Sequence, residues 1–330
     1  MILDLTSLIN FLLDELDELD ELDELNFMIN ITKYRKFYYV FSGAILIASV
    51  VALFIFGLNL GLDFKGGSIL EVNYSKSLPN KDRISNELKK IGLLENSISE
   101  SSGNNLIIRF KEIDETKHQE LKILLDGLGK EVDSNNIFSE SVFESLGPSI
   151  GQELKTKTFY AMILVFLVIV FYIAYAFRKV SNPLSSWQYG IVTLVTLLHD
   201  VVIPIGVFAV LGHYIHIEIN MTFVVAMLTV LGYSVHDTII VFDRIRENLL
   251  KSKNLNFEDI VNKSLNETFV RSINTSLTVM IVLMAIYLFG GVSIKYFALA
   301  LLIGIGAGTY SSVFIASPLL VTWYYRKLKK

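Results

Sequence analysis

The residues best able to do chemistry in this chain are acids placed where acids are costly. Gly232-Tyr233-Ser234-Val235-His236-Asp237-Thr238 lies in a long apolar stretch and runs on to Asp243-Arg244-Ile245-Arg246-Glu247-Asn248. An ionised carboxylate in hydrocarbon must be paired or hydrated, so Asp237, about two helical turns inside such a stretch, reads as functional. Ser234 and Tyr233 precede it by three and four residues, on the same helical face, and are expected to hydrogen-bond it. The alternative is a polar clamp between helices. Arg271 opens a later apolar stretch, with Ser272, Asn274 and Thr275 behind it. An antiparallel neighbour would bring Arg271 to Asp237, and an Asp-Arg pair that opens and closes is what a proton carrier requires. The competing reading makes Arg271 a positive residue solvated by water or lipid phosphate.

A second acid, Asp200, follows His199 in another apolar stretch. Two intramembrane aspartates suggest an aspartic-protease dyad, in which one carboxyl holds a proton for the other. Neither acid, however, stands in a Tyr-Asp or Gly-x-Gly-Asp context. Metal binding by the His-Asp pairs is disfavoured, because adjacent side chains on a helix point about 100° apart. His199 is expected to pack and hydrogen-bond, and Asp200 to serve a proton path or helix packing. The chain has no cysteine, which removes disulfides, thiolate metal sites and cysteine nucleophiles. Asp63-Phe64-Lys65-Gly66-Gly67 is not followed by the Gly-Lys-Ser/Thr of a phosphate-binding loop. Its glycines admit a sharp turn, and Leu146-Gly147-Pro148-Ser149-Ile150-Gly151 has the same hinge character, so both read as junctions. No nucleotide-binding motif occurs, and any work must draw on an ion gradient or a partner.

These residues need a membrane-spanning frame. Of 330 residues, 52% are hydrophobic and 19% charged, which points to a membrane protein. Uncharged runs at Phe37–Leu58, Thr158–Phe177 and Ser272–Ile294 are long enough to span. Tyr296–Tyr325 is longer, and its Gly304, Gly306 and Gly308 allow close helix approach. Two more spans, about Gln188–Leu211 and Ile219–Phe242, carry the acids, which makes six. With the N-terminus inside, the bases of the short loops and termini fall on the cytoplasmic side, against only Lys295 outside.

The large loop, 59–157, is then extracytoplasmic. Strands are predicted at Ser68–Tyr74, Ser97–Ser101, Asn105–Phe110 and Ile137–Phe143. Helices are predicted at Asn80–Ile91 and Asp114–Leu128, giving a small ferredoxin-like βαββαβ domain. The formal charge of -4 hides a division: residues 1–27 hold nine acids and no base, and the remainder, with 29 bases and 24 acids, stands at +5. The Asp-Glu-Leu repeat from Leu13 to Leu25 cannot keep one helical stripe, so 1–27 is expected to be a solvated acidic tail. A start at Met28, before Lys33-Tyr34-Arg35-Lys36, is the other reading. The expected divisions are therefore 1–27, 28–58 with the first span, 59–157, 158–325 with the remaining spans, and a basic end at 326–330.

Taken together, these motifs resemble SecF, the family that forms the SecD–SecF protein-export complex within the resistance-nodulation-division superfamily. The residues carrying the likeness are Gly61–Gly67, Leu146–Gly151, His199-Asp200-Val201, Gly232–Asp237, Asp243–Asn248, Arg271–Thr275 and Leu288-Phe289-Gly290-Gly291. The resemblance implies a half-transporter of six helices with one α+β extracytoplasmic domain, multi-pass in the cytoplasmic membrane. It implies that proton flow, with no cofactor, drives late-stage pulling of preproteins. Asp237 matches the family's proton-bearing aspartate, Arg271 the arginine that pairs with it, and Asp200 an aspartate common in the third span. Implied partners are SecD, the SecYEG translocon, YajC, the translocating preprotein and membrane lipids. No nucleic-acid face is visible. His236 stands where relatives are expected to have Asn, which would place a second titratable group beside Asp237. An intramembrane protease and an efflux permease for lipids or small molecules are the rival functions.

Overall fold

The computed structural model describes residues 29–94, 96–101, 104–178, 183–251 and 255–329. The acidic tail 1–27 and the alternative start at Met28 lie outside the described residues. The described residues form two compact units: a helical one built from the chain up to Leu58, Met162–Ile217 and from Thr222, and a smaller one within Asn59–Ala161 with Glu218–Met221.

The helical unit holds α1 (Arg35–Phe56), the later part of α5 (Pro148–Ala176), α6 (Ser186–Ile215), α7 (Met221–Lys251), α8 (Phe257–Phe289), α9 (Val292–Ser311) and α10 (Ser317–Leu328). A π-helical turn, Ser312–Ala316, joins α9 to α10. Counting α9 to α10 as one, six helical segments among the described residues are long and apolar enough to cross a membrane, as the sequence predicts. Several helices outrun the apolar runs that announce them. Helix α5 begins at Pro148 instead of Thr158, and α8 at Phe257 instead of Ser272, because hydropathy marks what lies in hydrocarbon and is blind to polar helical extensions. Helix α7 starts at Met221 because Ile219 is extended, exchanging hydrogen bonds with Asn59 and Gly61 at 2.7 Å each. The predicted sixth span is not one α-helix: the π turn interrupts it.

Helices α6, α7 and α9–α10 have more than half of their apolar stretches buried, whereas α1, α5 and α8 keep broad apolar faces outward. Helix α1 packs on α6, and α9 packs on both α6 and α8. Glycines set the spacing. A Cβ on Gly206 would collide with Ser49, and one on Gly304 would collide with Val230. At one end of the bundle Phe177, Tyr189 and Phe242 interlock with Val261, Leu265 and Leu320. The segment before α1 is tied to α8: Asn266 bonds both Ile29 N and Ile29 O, and Asn262 Oδ1 accepts from Thr32 N at 3.1 Å.

The small unit begins with a one-turn helix, α2 (Leu62–Lys65), then β1 (Gly67–Tyr74), α3 (Lys81–Lys90), β2 (Asn96–Ser101), β3 (Asn105–Phe110), α4 (Glu115–Val132) and β4 (Phe138–Leu146). The sheet order is β2-β3-β1-β4 and every neighbouring pair is antiparallel, a split β-α-β arrangement compatible with the ferredoxin-like expectation. Asn80 caps α3 by accepting from Asp82 N and Arg83 N, and Asp114 caps α4 by accepting from Lys117 N. Alternate residues of β1 and β3 (Leu70, Val72, Leu106, Ile108) meet Ile84 and Leu88 of α3 and Leu121 and Leu125 of α4 in one core. The Tyr74 hydroxyl donates to Leu125 O at 3.0 Å, and burial pushes its phenol well above the ordinary range.

Candidate functional site

The buried face of α7 carries Ser234, Asp237, Thr238 and Val241, spaced as one helical stripe. Asp237 is 1% exposed. Its Oδ2 is 3.3 Å from Ser276 Oγ on α8 and 3.5 Å from Thr309 Oγ1 on α9, and these two hydroxyls are 2.7 Å apart. Its other oxygen, Oδ1, is buried without a hydrogen-bond partner among the described residues, and so is Ser272 Oγ, one turn before Ser276 on α8.

Asp200, fully buried, is the opposite case. Its Oδ2 accepts from Ser234 Oγ at 2.5 Å and from Ser311 Oγ at 2.7 Å, while Oδ1 meets His199 Nδ1 at 2.8 Å. Pro204, four residues on, lacks the N–H that would bond the Asp200 carbonyl, which loosens the helical ladder at this turn. Two serine hydroxyls and an imidazole nitrogen thus engage both of its oxygens.

Two sequence expectations change accordingly. Ser234 serves Asp200 and not Asp237, because at position 234 the α7 face has already turned toward α6. Tyr233 also misses the carboxyl, its hydroxyl reaching Ser276 Oγ at 3.5 Å. His199 and Asp200, expected to point apart, touch each other: a 2.8 Å bond between neighbours needs only that the two side chains lean together. The His199 ring otherwise packs in the bundle, with Nε2 buried and unpartnered.

The structure does not join Arg271 to Asp237. Arg271 is exposed and lines a cleft with Asp243, Arg244, Glu247 and Glu267. Within that cleft Arg244 is held by Glu267 at 2.5 Å and Glu247 at 2.6 Å, and Arg271 has no ion pair among the described residues. His236 and Asn274 are exposed on the outer faces of α7 and α8. The residues that do hold Asp237, Ser276 and Thr309, escaped the sequence reading. The available signal was a Thr and two Ser (Thr309, Ser311, Ser312) directly after the glycine series of an otherwise apolar span.

The junction residues meet within the small unit. Asp63 Oδ2 accepts from Met221 N at 2.6 Å, and both residues belong to the small unit. Gly66 has φ +73°, and a Cβ there would stand 2.7 Å from Pro148 Cα; Gly67 has φ +126°, with Phe110 O 2.9 Å from its would-be Cβ. Gly147 faces the Glu112 carboxylate. Among the described residues no group of three or more His, Asp or Glu side chains could hold a metal ion.

Comparison with known proteins follows the same residues. The profile of the SecD/SecF C-terminal region of protein export membrane proteins matches 128–326, and that of the SecD/SecF GG motif matches 51–77, which contains Asp63, Gly66 and Gly67. The chain belongs to the SecF family. The protein translocase subunit SecF of Thermobaculum terrenum is 44% identical over 305 residues, covering 90% of this chain and 94% of the relative. The protein translocase subunit SecDF of Bacillus subtilis is 33% identical over 304 residues, and this chain spans 38% of its length. Among solved structures, SecDF from Thermus thermophilus, a translocon-associated membrane protein, aligns with a TM-score of 0.74 at 28% identity, covering 91% of this chain and 39% of that one. As a SecF-family member the chain is a multi-pass membrane protein with an accessory role in Sec protein translocation.

Proposed function

We propose that the chain is the SecF half of a proton-driven SecD–SecF machine of the cytoplasmic membrane, and that Asp237 carries the coupling proton. The observation behind this reading is the contrast between the two buried acids. Asp200 has both oxygens engaged by three polar side chains, whereas Asp237 has one oxygen near two hydroxyls, one oxygen bare, and no ion pair among the described residues. A buried carboxyl in that setting has a free oxygen to carry a proton, and Arg271, on the adjoining helix, supplies the charge that would draw the proton off when the pair closes. The same contrast weakens the protease reading, since a dyad needs two carboxyls sharing one proton and these two sit in separate hydrogen-bond sets.

Both termini lie in the cytoplasm in this reading, with residues 59–157 on the far side, a placement that the distribution of bases supports. The protein acts without a cofactor and is not an enzyme in its own right. SecD supplies the other half of the transporter, as the SecDF relatives suggest by carrying both in one chain, and the complex pulls preproteins from SecYEG, with YajC and membrane lipids as further contacts. One charge crossing 100 mV yields about 2.3 kcal/mol, enough to bias a domain movement. The test is Asp237→Asn in vesicles containing the partner subunit and the translocon. The expected result is normal assembly with loss of the proton-gradient dependence of export; retained gradient dependence refutes the assignment.

A further inference from the structure

We propose that Ser276 and Thr309 are positioning residues for Asp237, holding its carboxyl in the arrangement that excludes Arg271. The inference rests on the reading of Asp237 as proton carrier and adds to it the side chains that set when the carrier is loaded.

Both hydroxyls are buried, Ser276 at 1% and Thr309 at 7% exposure, in the same layer as the acid. A hydroxyl has one proton to give and lone pairs to receive, so it suits both states of a carboxyl: it donates to the anion and accepts from the acid. Thr309 has an alternative use for its proton, since Ile305 O lies 2.9 Å away, and Ser276 Oγ lies 2.7 Å away. When Asp237 is charged, the two hydroxyl protons turn toward it. When Asp237 is protonated, the Thr309 proton returns to the backbone carbonyl. Asp200, by contrast, has both oxygens engaged, by an imidazole and two serines.

Helix geometry makes the two partners of Asp237 mutually exclusive. Arg271 and Ser276 are five residues apart on α8, which places them about 140° apart around the axis. One setting of α8 can present Ser276 to the carboxyl or Arg271 to it, not both. In this structure Ser276 faces inward and Arg271 outward. The open Oδ1 and the unpartnered Ser272 Oγ, which follows Arg271 directly, mark where the exchange would take place. Other titratable groups on the helices around Asp237 include Tyr233 and His236 on α7, Tyr310 on α9 and the His199–Asp200 pair on α6, none of which hydrogen-bonds it among the described residues.

The experiment compares Ser276→Ala/Thr309→Val with Ser276→Thr and Thr309→Ser in the full-length chain, assembled with its partner subunit in vesicles, reading gradient-dependent export against pH. Loss of the two donors leaves the anion less supported, so the protonated form persists to higher pH. The midpoint should rise by roughly half a pH unit or more with the maximal rate kept within about two-fold, and the hydroxyl-retaining variants should restore it. The carbonyl stretch of protonated Asp237, identified by its loss in Asp237→Asn, should shift in the hydroxyl-free variant only, and this infrared readout stands even if export is weak. If Asp237→Asn abolishes gradient dependence while the hydroxyl-free variant leaves midpoint and stretch unmoved, the positioning role is overturned and the carrier survives. If Asp237→Asn keeps gradient dependence, the carrier reading itself fails and takes this inference with it.

Discussion

Two aspartates with the same chemistry have opposite surroundings, and the difference decides what each can do. Asp200→Asn would turn an amide N–H₂ toward one of the donors that now bond the carboxylate, at a cost of about 1–3 kcal/mol. The expected outcome is a lower unfolding temperature of the purified chain, with gradient dependence kept by the protein that inserts; thermal unfolding in detergent beside the export assay measures both. At this scale the sequence was informative about which residues matter and poor about whom they touch. Asp237 and Asp200 stood out because an acid in an apolar run is conspicuous. Ser276 and Thr309 did not, since Ser and Thr are ordinary in membrane helices, where they bond their own backbone as Thr309 does to Ile305. The assignment of Ser234 to Asp237 followed from helical spacing on one helix, which says nothing about the neighbour that Ser234 turns to.

Elements were legible wherever periodicity had one face to report. Strand β3 was read with its observed bounds, Asn105–Phe110, because its alternation is clean and its inward residues are all apolar. The ends of α5 and α8 were missed by ten and fifteen residues, since their polar first turns carry no hydropathic signal. The junction glycines belong to this scale. Gly66 combines φ +73° with a Pro148 Cα only 2.7 Å from its would-be Cβ, so Gly66→Ala meets both backbone strain and a clash with main-chain atoms that cannot swing aside. Its expected cost is about 1–3 kcal/mol, localised to the small unit. Faster hydrogen exchange in β1 and near Pro148, with α6 and α7 unchanged, is the outcome; unaltered protection of β1 would show that the turn tolerates a side chain.

For the whole molecule, six spans and the asymmetry of bases lead to one testable orientation. The chain has no cysteine, so single replacements at exposed positions report sidedness against a clean background. Lys89→Cys, on α3, should react with a membrane-impermeant maleimide added to intact cells, and Lys329→Cys, beyond α10, only after permeabilisation. Labelling of Lys329→Cys from outside would invert the topology. Whole-molecule architecture was the most legible level, since crossing a bilayer imposes a length and a composition on each span that no other environment demands.

The π turn at Ser312–Ala316 bears on all three levels, and its significance is one of phase. A π turn holds an extra residue, so every side chain after it is rotated by about 100° relative to an unbroken α-helix. Thr309, which reaches Asp237, and Ser311, which reaches Asp200, precede the turn. Thr322, 2.9 Å from Tyr39 of α1, and Tyr325, 2.7 Å from Glu258 of α8, follow it. No regular helix through this sequence presents both sets to their partners. The extra residue is therefore what lets one span keep two appointments, with the acids at mid-depth and with the first and fifth spans near its end. Removing it would set the two halves of the span out of step by a quarter turn.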